Sequence, residues 1–267
     1  MNAPYSTMGN TAAEAFSKQA DVFDAIDAAD PMIGWVRDRV RAQALRHMRK
    51  GDRLLELNSG TGIDSAWFAE QGMRVTATDI APGMVAQQLL KQAKASSSWR
   101  TIQCSYLELD RLGEERYDHV FSNFGGLNCT DRLDLVLNAM ERIILPGGTC
   151  TLVIMPRICP WEMAAALKGN FGLARRRFER HTNARIEGVD FPCHYYSSRD
   201  VRQQLGAPFE VLAQRGLSVF APPPQRERFL QRWPRLSNWL MKLDDRIATY
   251  PPFRDWGDHF VITLRKR

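Results

Sequence analysis

Leu54-Leu55-Glu56-Leu57-Asn58-Ser59-Gly60-Thr61-Gly62 runs straight into Ile63-Asp64-Ser65-Ala66-Trp67-Phe68-Ala69-Glu70. An apolar run carrying one acid reads as a buried strand, the small residues after it as a tight turn, and the segment beyond as a helix opening. Strand, turn and helix in that order form the first half of a nucleotide-binding βαβ unit. Glycine lacks a Cβ, so the backbone bends with positive φ and a ligand can press against it. The helix that follows points unpaired N–H groups and a positive dipole end at the same place.

Around this stretch the pattern repeats. Strand one, Arg53–Leu57, follows the Gly51-Asp52 turn, and strand two, Arg74–Thr78, ends at Asp79. A helix from Pro82 to about Lys94, a serine loop at 96–98 and strand three at Thr101–Ser105 come next. Strand four is Tyr117–Ser122, followed by a glycine loop, Asn123–Asn128. A helix over Asp131–Ile144 stops at Leu145-Pro146-Gly147-Gly148, and strand five is Thr149–Met155. Strands alternating with helices predict an α/β fold, a mainly parallel sheet covered on both faces. Upstream, a short helix or two near Ala12–Ala28 precedes a helix from Pro31 to about Lys50. That helix sets Ile33, Val36, Val40, Leu45 and Met48 against an opposite face of Arg37, Arg39, Arg41, Arg46 and Arg49, predicted to be solvated.

After Pro156 the pattern becomes an apolar helical face of Trp161, Met163, Leu167, Phe171, Leu173 and Phe178, beside Arg175, Arg176, Arg177 and Arg180. This reads as an insertion. Ser197 or Ser198 caps a helix to Leu205. Strand-like segments at Glu210–Leu212 and Leu217–Phe220, amphipathic helices at Arg226–Trp233 and Leu236–Tyr250, and a last strand at His259–Leu264 complete the chain. The predicted organisation is an N-terminal helical cap (1–50), a ligand-binding core (51–155), a lid or substrate insertion (156–195) and a C-terminal return to the core with a helical segment (196–267).

Composition narrows the class. Among 267 residues, 44% are hydrophobic and 25% charged, as in a soluble globular protein. The five cysteines form no C-x-x-C pair and are expected as reduced thiols in a cytosolic protein, with no metal site. Met1–Ala20 lacks a signal-peptide pattern, and no stretch suits a membrane span. The charge of +6 and pI near 9.2 permit a nucleic-acid partner without requiring one.

Asp79, at the end of strand two, is placed to accept hydrogen bonds from both hydroxyls of a ribose. Two cofactor classes fit. The dinucleotide fingerprint needs a third glycine where this chain has Ser65, and Asp64 would repel a pyrophosphate. S-adenosylmethionine has no phosphate, so acids near the turn are tolerable.

The chain resembles the class I S-adenosylmethionine-dependent methyltransferases. Their first motif, E/D-x-G-x-G-x-G, stands here as Glu56-Leu57-Asn58-Ser59-Gly60-Thr61-Gly62. The acid ending strand two is Asp79, followed by Ile80 and Pro82-Gly83-Met84. The strand-four motif is Tyr117–Asn128, the strand-five entry is Leu145–Gly148, and Tyr196–Val201 with Phe209–Val211 resembles the late helix-then-strand segment. The match is close over about 50–155 and loose over 195–264. It implies a Rossmann-like, doubly wound, seven-stranded sheet with an antiparallel last strand, N-terminal helices and a helical lid after strand five. It also implies roles. Glu56, Asn58, Ser59, Gly60, Thr61 and Gly62 hold the methionine end; Asp79 binds the ribose; Ile80 and Met84 line the adenine pocket; Ser105 or Tyr106 meets the adenine amino group; Asn123 and Phe124 sit beside the sulfur. Asn58 for the first glycine and Ser105 for the usual adenine acid depart from the pattern. Asparagine tolerates left-handed backbone, and its amide is a candidate partner for the methionine group.

Methyl transfer leans on positioning, and an acceptor can still need its proton removed. His119, His181, His194 and His259 are the candidates. His119 reads as a packed strand residue, and His194, beside Tyr195 and Tyr196, is the predicted base. The loop after strand four lacks the prolines of the N/D-P-P-Y/F signature that seats a flipped base. Tyr250-Pro251-Pro252-Phe253 imitates it far downstream and reads as a turn. The expected activity is therefore O- or N-methylation of an organic small molecule, in secondary or cell-envelope metabolism, with no nucleic-acid partner. An RNA or protein methyltransferase and a non-catalytic S-adenosylmethionine-binding protein are the alternatives. A nicotinamide oxidoreductase is more distant.

Overall fold

The computed structural model describes residues 5–96, 98–179, 181–224 and 226–267, without the side chains of 5–10. Ser97 of the predicted serine loop and Arg180 of the arginine cluster lie outside the described residues. So do the first four residues of the segment read for a signal pattern.

Two helices lead the chain, α1 (Tyr5–Ala29) and α2 (Pro31–Leu45). Asp30 separates them, its carboxylate accepting from the N–H of Met32 at 2.8 Å while Pro31 opens the next helix. Then come β1 (Arg53–Leu57), α3 (Ile63–Glu70), β2 (Arg74–Asp79), α4 (Pro82–Gln92), β3 (Arg100–Gln103), β4 (Tyr117–Ser122), α5 (Leu133–Ile143) and β5 (Ile144–Ile154). Two short helices, α6 (Pro160–Met163) and α7 (Phe171–Arg175), lead to strands β6 (His181–Ile186) and β7 (Val189–His194). The chain ends with α8 (Ser198–Leu205), β8 (Phe209–Leu217), α9 (Glu227–Arg232), α10 (Pro234–Ile247) and β9 (His259–Lys266).

Seven strands form one sheet in the order β3-β2-β1-β4-β5-β9-β8. All run parallel except β9, which is antiparallel to both neighbours. Alternation along β1 divides its side chains between the two faces. Leu55 and Leu57 join Val136, Leu137 and Met140 of α5 and Val201 of α8 in one core. Leu54 joins Val36 and Val40 of α2 and Phe68 of α3 in the other. Each such apolar side chain contributes about 1.5–3 kcal/mol by leaving water. Strand order reverses between β1 and β4, so their carboxyl ends splay away from a crevice, the usual ligand position in open α/β sheets.

Four sequence expectations change. The predicted short N-terminal helices are one 25-residue helix. Of the two late strand segments, Glu210–Leu212 falls within β8, which bulges between Val211 and Ala213, while Leu217–Phe220 leaves the strand after Leu217. The insertion is not wholly helical, because β6 and β7 pair as an antiparallel hairpin. The arginine face of α2 is not simply solvated: Arg37 is buried between Asp27 and Asp64, Arg41 bonds Asp64, and Arg39 pairs with Asp245 of α10. The capping prediction for α8 resolves to Ser197, which forms a reciprocal box with Asp200.

Candidate active site

At the crevice lies a cavity of about 310 Å³. Its floor is the backbone at Asn58 and Gly60, and one wall is Asp79, Ile80, Ala81 and Met84 from the end of β2 and the start of α4. Ser105, Tyr106 and Leu107 form a second wall, and Asn123, Phe124, Gly126 and Cys129 a third. Ala12, Ala13, Phe16 and Phe23 of α1 close it from above.

Asp79 is almost wholly buried. Its oxygens accept from the N–H groups of Gly60 and Ala81, both at 2.8 Å. Burial pushes its carboxyl up to about 6, although these backbone donors pull the other way. A carboxylate has about four acceptor positions, so this one retains capacity toward the cavity. The turn itself is held from behind. Gln88 of α4 donates to Ser59 Oγ and to the carbonyl of Gly60, each at 2.7 Å. Thr61 donates to Asp24 of α1, which also pairs with Lys91 of α4 at 2.7 Å. Gly83 permits the close approach of these helices, since a Cβ there would stand 2.6 Å from the carbonyl oxygen of Ser17.

Asn58 adopts φ +44°, the left-handed region its residue type tolerates. Its amide is engaged within the protein: Oδ1 accepts from Ser122 Oγ at 2.7 Å and Nδ2 donates to the carbonyl of Asn123 at 3.1 Å. It thereby ties the end of β1 to the end of β4. Phe124 also takes positive φ, +49°, which is rare for a bulky residue and marks backbone held by its surroundings. Asn123 holds it, accepting from the Phe124 N–H at 2.8 Å and donating to Asp64 at 2.9 Å. The Arg37 guanidinium lies 4.6 Å above the Phe124 ring.

Of the residues singled out from sequence, the structure brings Asn58, Gly60, Asp79, Ile80, Met84, Ser105, Tyr106, Asn123 and Phe124 to the cavity. Ser59, Thr61 and Gly62 shape the turn without lining it. Glu56 is turned away, because it shares the β1 face that packs against α2 and α3. There it accepts from the Ser65 hydroxyl, and burial together with the Asp64 carboxylate pushes its carboxyl well above the ordinary range. Asp64 is neutralised by Arg37 and Arg41, which removes the repulsion that the sequence alone set against a pyrophosphate.

His194, the predicted base, also lies off the cavity. It is buried in the hairpin, its ring 5.7 Å from that of His181 and its carbonyl accepting from Asn128 at 2.6 Å. The reason is topological: β7 packs behind α1, with Phe191 5.7 Å from Phe16. No described residue of 156–195 lines the cavity, and α1 covers it instead. His119 is a packed strand residue, bonded to Thr149 at 2.7 Å and Asp52 at 2.9 Å. Of the arginine cluster, Arg176 and Arg177 are spent internally: both bond Glu162, and Arg177 also reaches Asp258 at 2.7 Å. Cys159, Glu162 and Asp258 lie close enough to share an ion, but the Arg177 guanidinium already engages both acids.

Sequence reasoning missed the α1 residues and Gln88. The seven-residue spacing of Phe16 and Phe23, two helical turns, was the available signal for a shared face. Nothing local marked Gln88.

The cavity suits S-adenosylmethionine. A dry carboxylate with spare acceptors faces it for a ribose, Ile80, Met84 and Leu107 offer apolar contact for adenine, and Gly60 puts no side chain on the floor. A methyltransferase-domain family profile matches residues 55–152. A Serratia marcescens malonyl-[acyl-carrier protein] O-methyltransferase is 30% identical over 172 residues, 64% of this chain and 61% of that protein. A Xanthomonas campestris ubiquinone biosynthesis O-methyltransferase is 28% identical over 184 residues, 64% of this chain and 73% of its own. The chain spans less than two thirds of the Serratia relative. Among solved structures, the fold is shared with the Streptomyces caelestis CcbJ methyltransferase, at TM-score 0.62 and 16% identity, covering 94% of this chain and 98% of that one. It is shared also with a Burkholderia thailandensis 1,6-didemethyltoxoflavin N1-methyltransferase, at TM-score 0.59 and 18% identity, covering 100% and 91%. With the fold, the motif order and the matched segment in agreement, residues 55–152 form a methyltransferase domain, and the chain has the fold of the class I S-adenosylmethionine-dependent methyltransferases.

Proposed function

We propose that the protein methylates an oxygen or nitrogen atom of an organic small molecule. The observation that carries this reading is the cavity roofed by α1, with Asp79 on one wall and Asn123 and Phe124 on another. Its lining is mostly apolar and its volume suits compact ligands. The relatives' names support the reading: they point to malonyl-[acyl-carrier protein], to ubiquinone biosynthesis and to 1,6-didemethyltoxoflavin. The loop after β4, Asn123-Phe124-Gly125-Gly126, has no proline platform for a flipped base.

S-adenosylmethionine bound there would supply an electrophilic methyl group whose carbon bonds to the acceptor lone pair as the C–S bond breaks and S-adenosylhomocysteine leaves as a neutral thioether, so the donor would need no further activation. The protein's share is placement. Asp79 and the turn fix one end of the cofactor, and Asn123 holds Phe124 against the other wall, which orients the acceptor. Phe16 and Phe23 exclude water from above. No histidine lines the cavity among the described residues, and its carboxylates are Asp79 and the exposed Asp131, so the acceptor's proton passes to a carboxylate or to water, or the acceptor arrives already ionised. Tyr106 and Cys129, both half-buried, do not serve as bases near neutrality, because desolvation raises Tyr106 well above its ordinary range and Cys129 to about 12.

The test is release of S-adenosylhomocysteine by the purified chain over a panel of organic acids, phenols and nitrogen heterocycles, with RNA and peptides alongside. Turnover with members of the small-molecule panel is expected. Turnover confined to RNA or peptide would overturn the acceptor class.

A further inference from the structure

One surface lies apart from the cavity and is not used by methyl transfer. Segments 160–178 and 226–242 come together where the Trp161 ring meets Phe229 edge-on at 5.1 Å. Trp161 is anchored from below, its indole N–H donating to the carbonyl of Phe220 at 3.0 Å. Between the two segments runs an open groove of about 1040 Å³. Leu167 and Trp233, 90% and 51% exposed, line it, and on the same two segments Phe171, Trp239 and Phe178 stand in solvent at 65%, 58% and 57%. Single exposed apolar residues are ordinary, but this many on neighbouring short elements mark a surface that meets something.

The charge around these side chains has one dominant sign. Lys168, Arg175, Arg226, Arg228, Arg232 and Arg235 are all exposed. Glu227, the acid in the groove, is bonded to Gln231 at 2.8 Å. Arg176 and Arg177, by contrast, are consumed by Glu162, so the outward charge belongs to the side chains just named. On α10, Ser237 and Asp244 face inward, which leaves Leu236 and Trp239 outward beside Arg235 and Lys242.

We propose that this face docks on the surface of an anionic lipid bilayer. Short amphipathic elements with Trp, Phe and Leu tips inside a basic surround are the chemistry of peripheral membrane binding: the rings settle at headgroup depth and the cations meet lipid phosphate and carboxylate. No helix among the described residues is long and apolar enough to cross a membrane, so the contact is superficial. The aliphatic tips, Leu167 and Leu236, set this face apart from a base-stacking RNA surface, which is built on planar side chains.

The test is co-sedimentation of the full chain with vesicles of phosphatidylcholine alone or mixed with phosphatidylglycerol, with tryptophan emission recorded. Binding to the mixed vesicles, a blue shift, and weakening with added salt are expected. The variant Arg226→Glu/Arg228→Glu/Arg232→Glu should lower the partition coefficient at least about tenfold on anionic vesicles. Leu167→Ser/Phe171→Ser/Trp239→Ser should lower it as much while keeping the parent's affinity for S-adenosylhomocysteine, which shows that the fold is intact. Failure of the parent to bind anionic vesicles at low salt overturns the proposal. So does undiminished binding by both variants. RNA binding without vesicle binding, or concentration-dependent dimerisation abolished by the same substitutions, would assign the face to RNA or to a second copy instead.

Discussion

Asp79→Asn separates what this carboxylate does for the cofactor from what it does to the fold. The native side chain is nearly dry, and burial raises its carboxyl from the ordinary 3.8 to about 6. A carboxyl whose pKa is raised on folding holds protons more tightly in the native state, so its stabilising contribution is full below about pH 4 and lost as pH rises through about 6. Each tenfold gain in proton affinity is worth about 1.4 kcal/mol, so the whole rise is worth about 3 kcal/mol. Asparagine has nearly the same shape and does not titrate. The stability of the variant minus that of the parent should therefore rise by about 2.5 kcal/mol between pH 4 and pH 7.5, measured by urea unfolding across that range. Cofactor affinity should move the opposite way. A charged acceptor strengthens a hydrogen bond to about 1.5–3 kcal/mol, so losing it weakens S-adenosylhomocysteine binding about 10- to 150-fold near neutrality. In the parent, affinity should fall as pH drops below about 6, while the variant stays flat. Calorimetric titration at several pH values reads both effects. A stability difference that does not change with pH would show that Asp79 is not desolvated. Unchanged affinity would remove it from the cofactor site.

Two further substitutions probe the supports of the site. A Cβ at Gly126 would stand 2.3 Å from Asn58 Cγ, so Gly126→Ala should cost about 1–3 kcal/mol by urea unfolding, and most of that cost should vanish in an Asn58→Gly background. Equal costs in both backgrounds would show that the two residues are not in contact. Glu162→Ala leaves Arg177 buried without one of its acids and should cost about 3–5 kcal/mol in the same assay. Despite burial, bonds from Arg176 and Arg177 hold the Glu162 carboxyl below its ordinary range, so its stabilisation is present above the unfolded pKa and lost as pH falls below it. The penalty of Glu162→Ala should accordingly shrink in acid; a penalty independent of pH would refute that pairing.

The core of the fold was legible because its signals are local. Apolar runs ending at Leu57, Asp79 and Ser122, each followed by a turn and a helix, define strands that lie within a residue of their predicted bounds. Asp79 was legible for the same reason: its place at a strand end follows from the run before it. Glu56 does not line the cavity, and sequence gives its strand but not the face onto which α2 packs. His194 was assigned to the cavity because it lies at the end of the supposed lid in sequence, whereas the hairpin carries it behind α1.

The order of strands and helices from β1 to β5, the left-handed turn at Asn58 and the acid at the end of β2 were all written in the linear chain, since each depends on backbone preference and hydrophobic period within a few residues. Folding in three dimensions was needed to make the first helix the roof of the cavity, to bring Arg37 and Arg41 onto Asp64, and to turn the Asn58 amide into a tie between β1 and β4. Those outcomes depend on which distant faces meet, and partners separated by tens of residues leave no periodic mark in the chain.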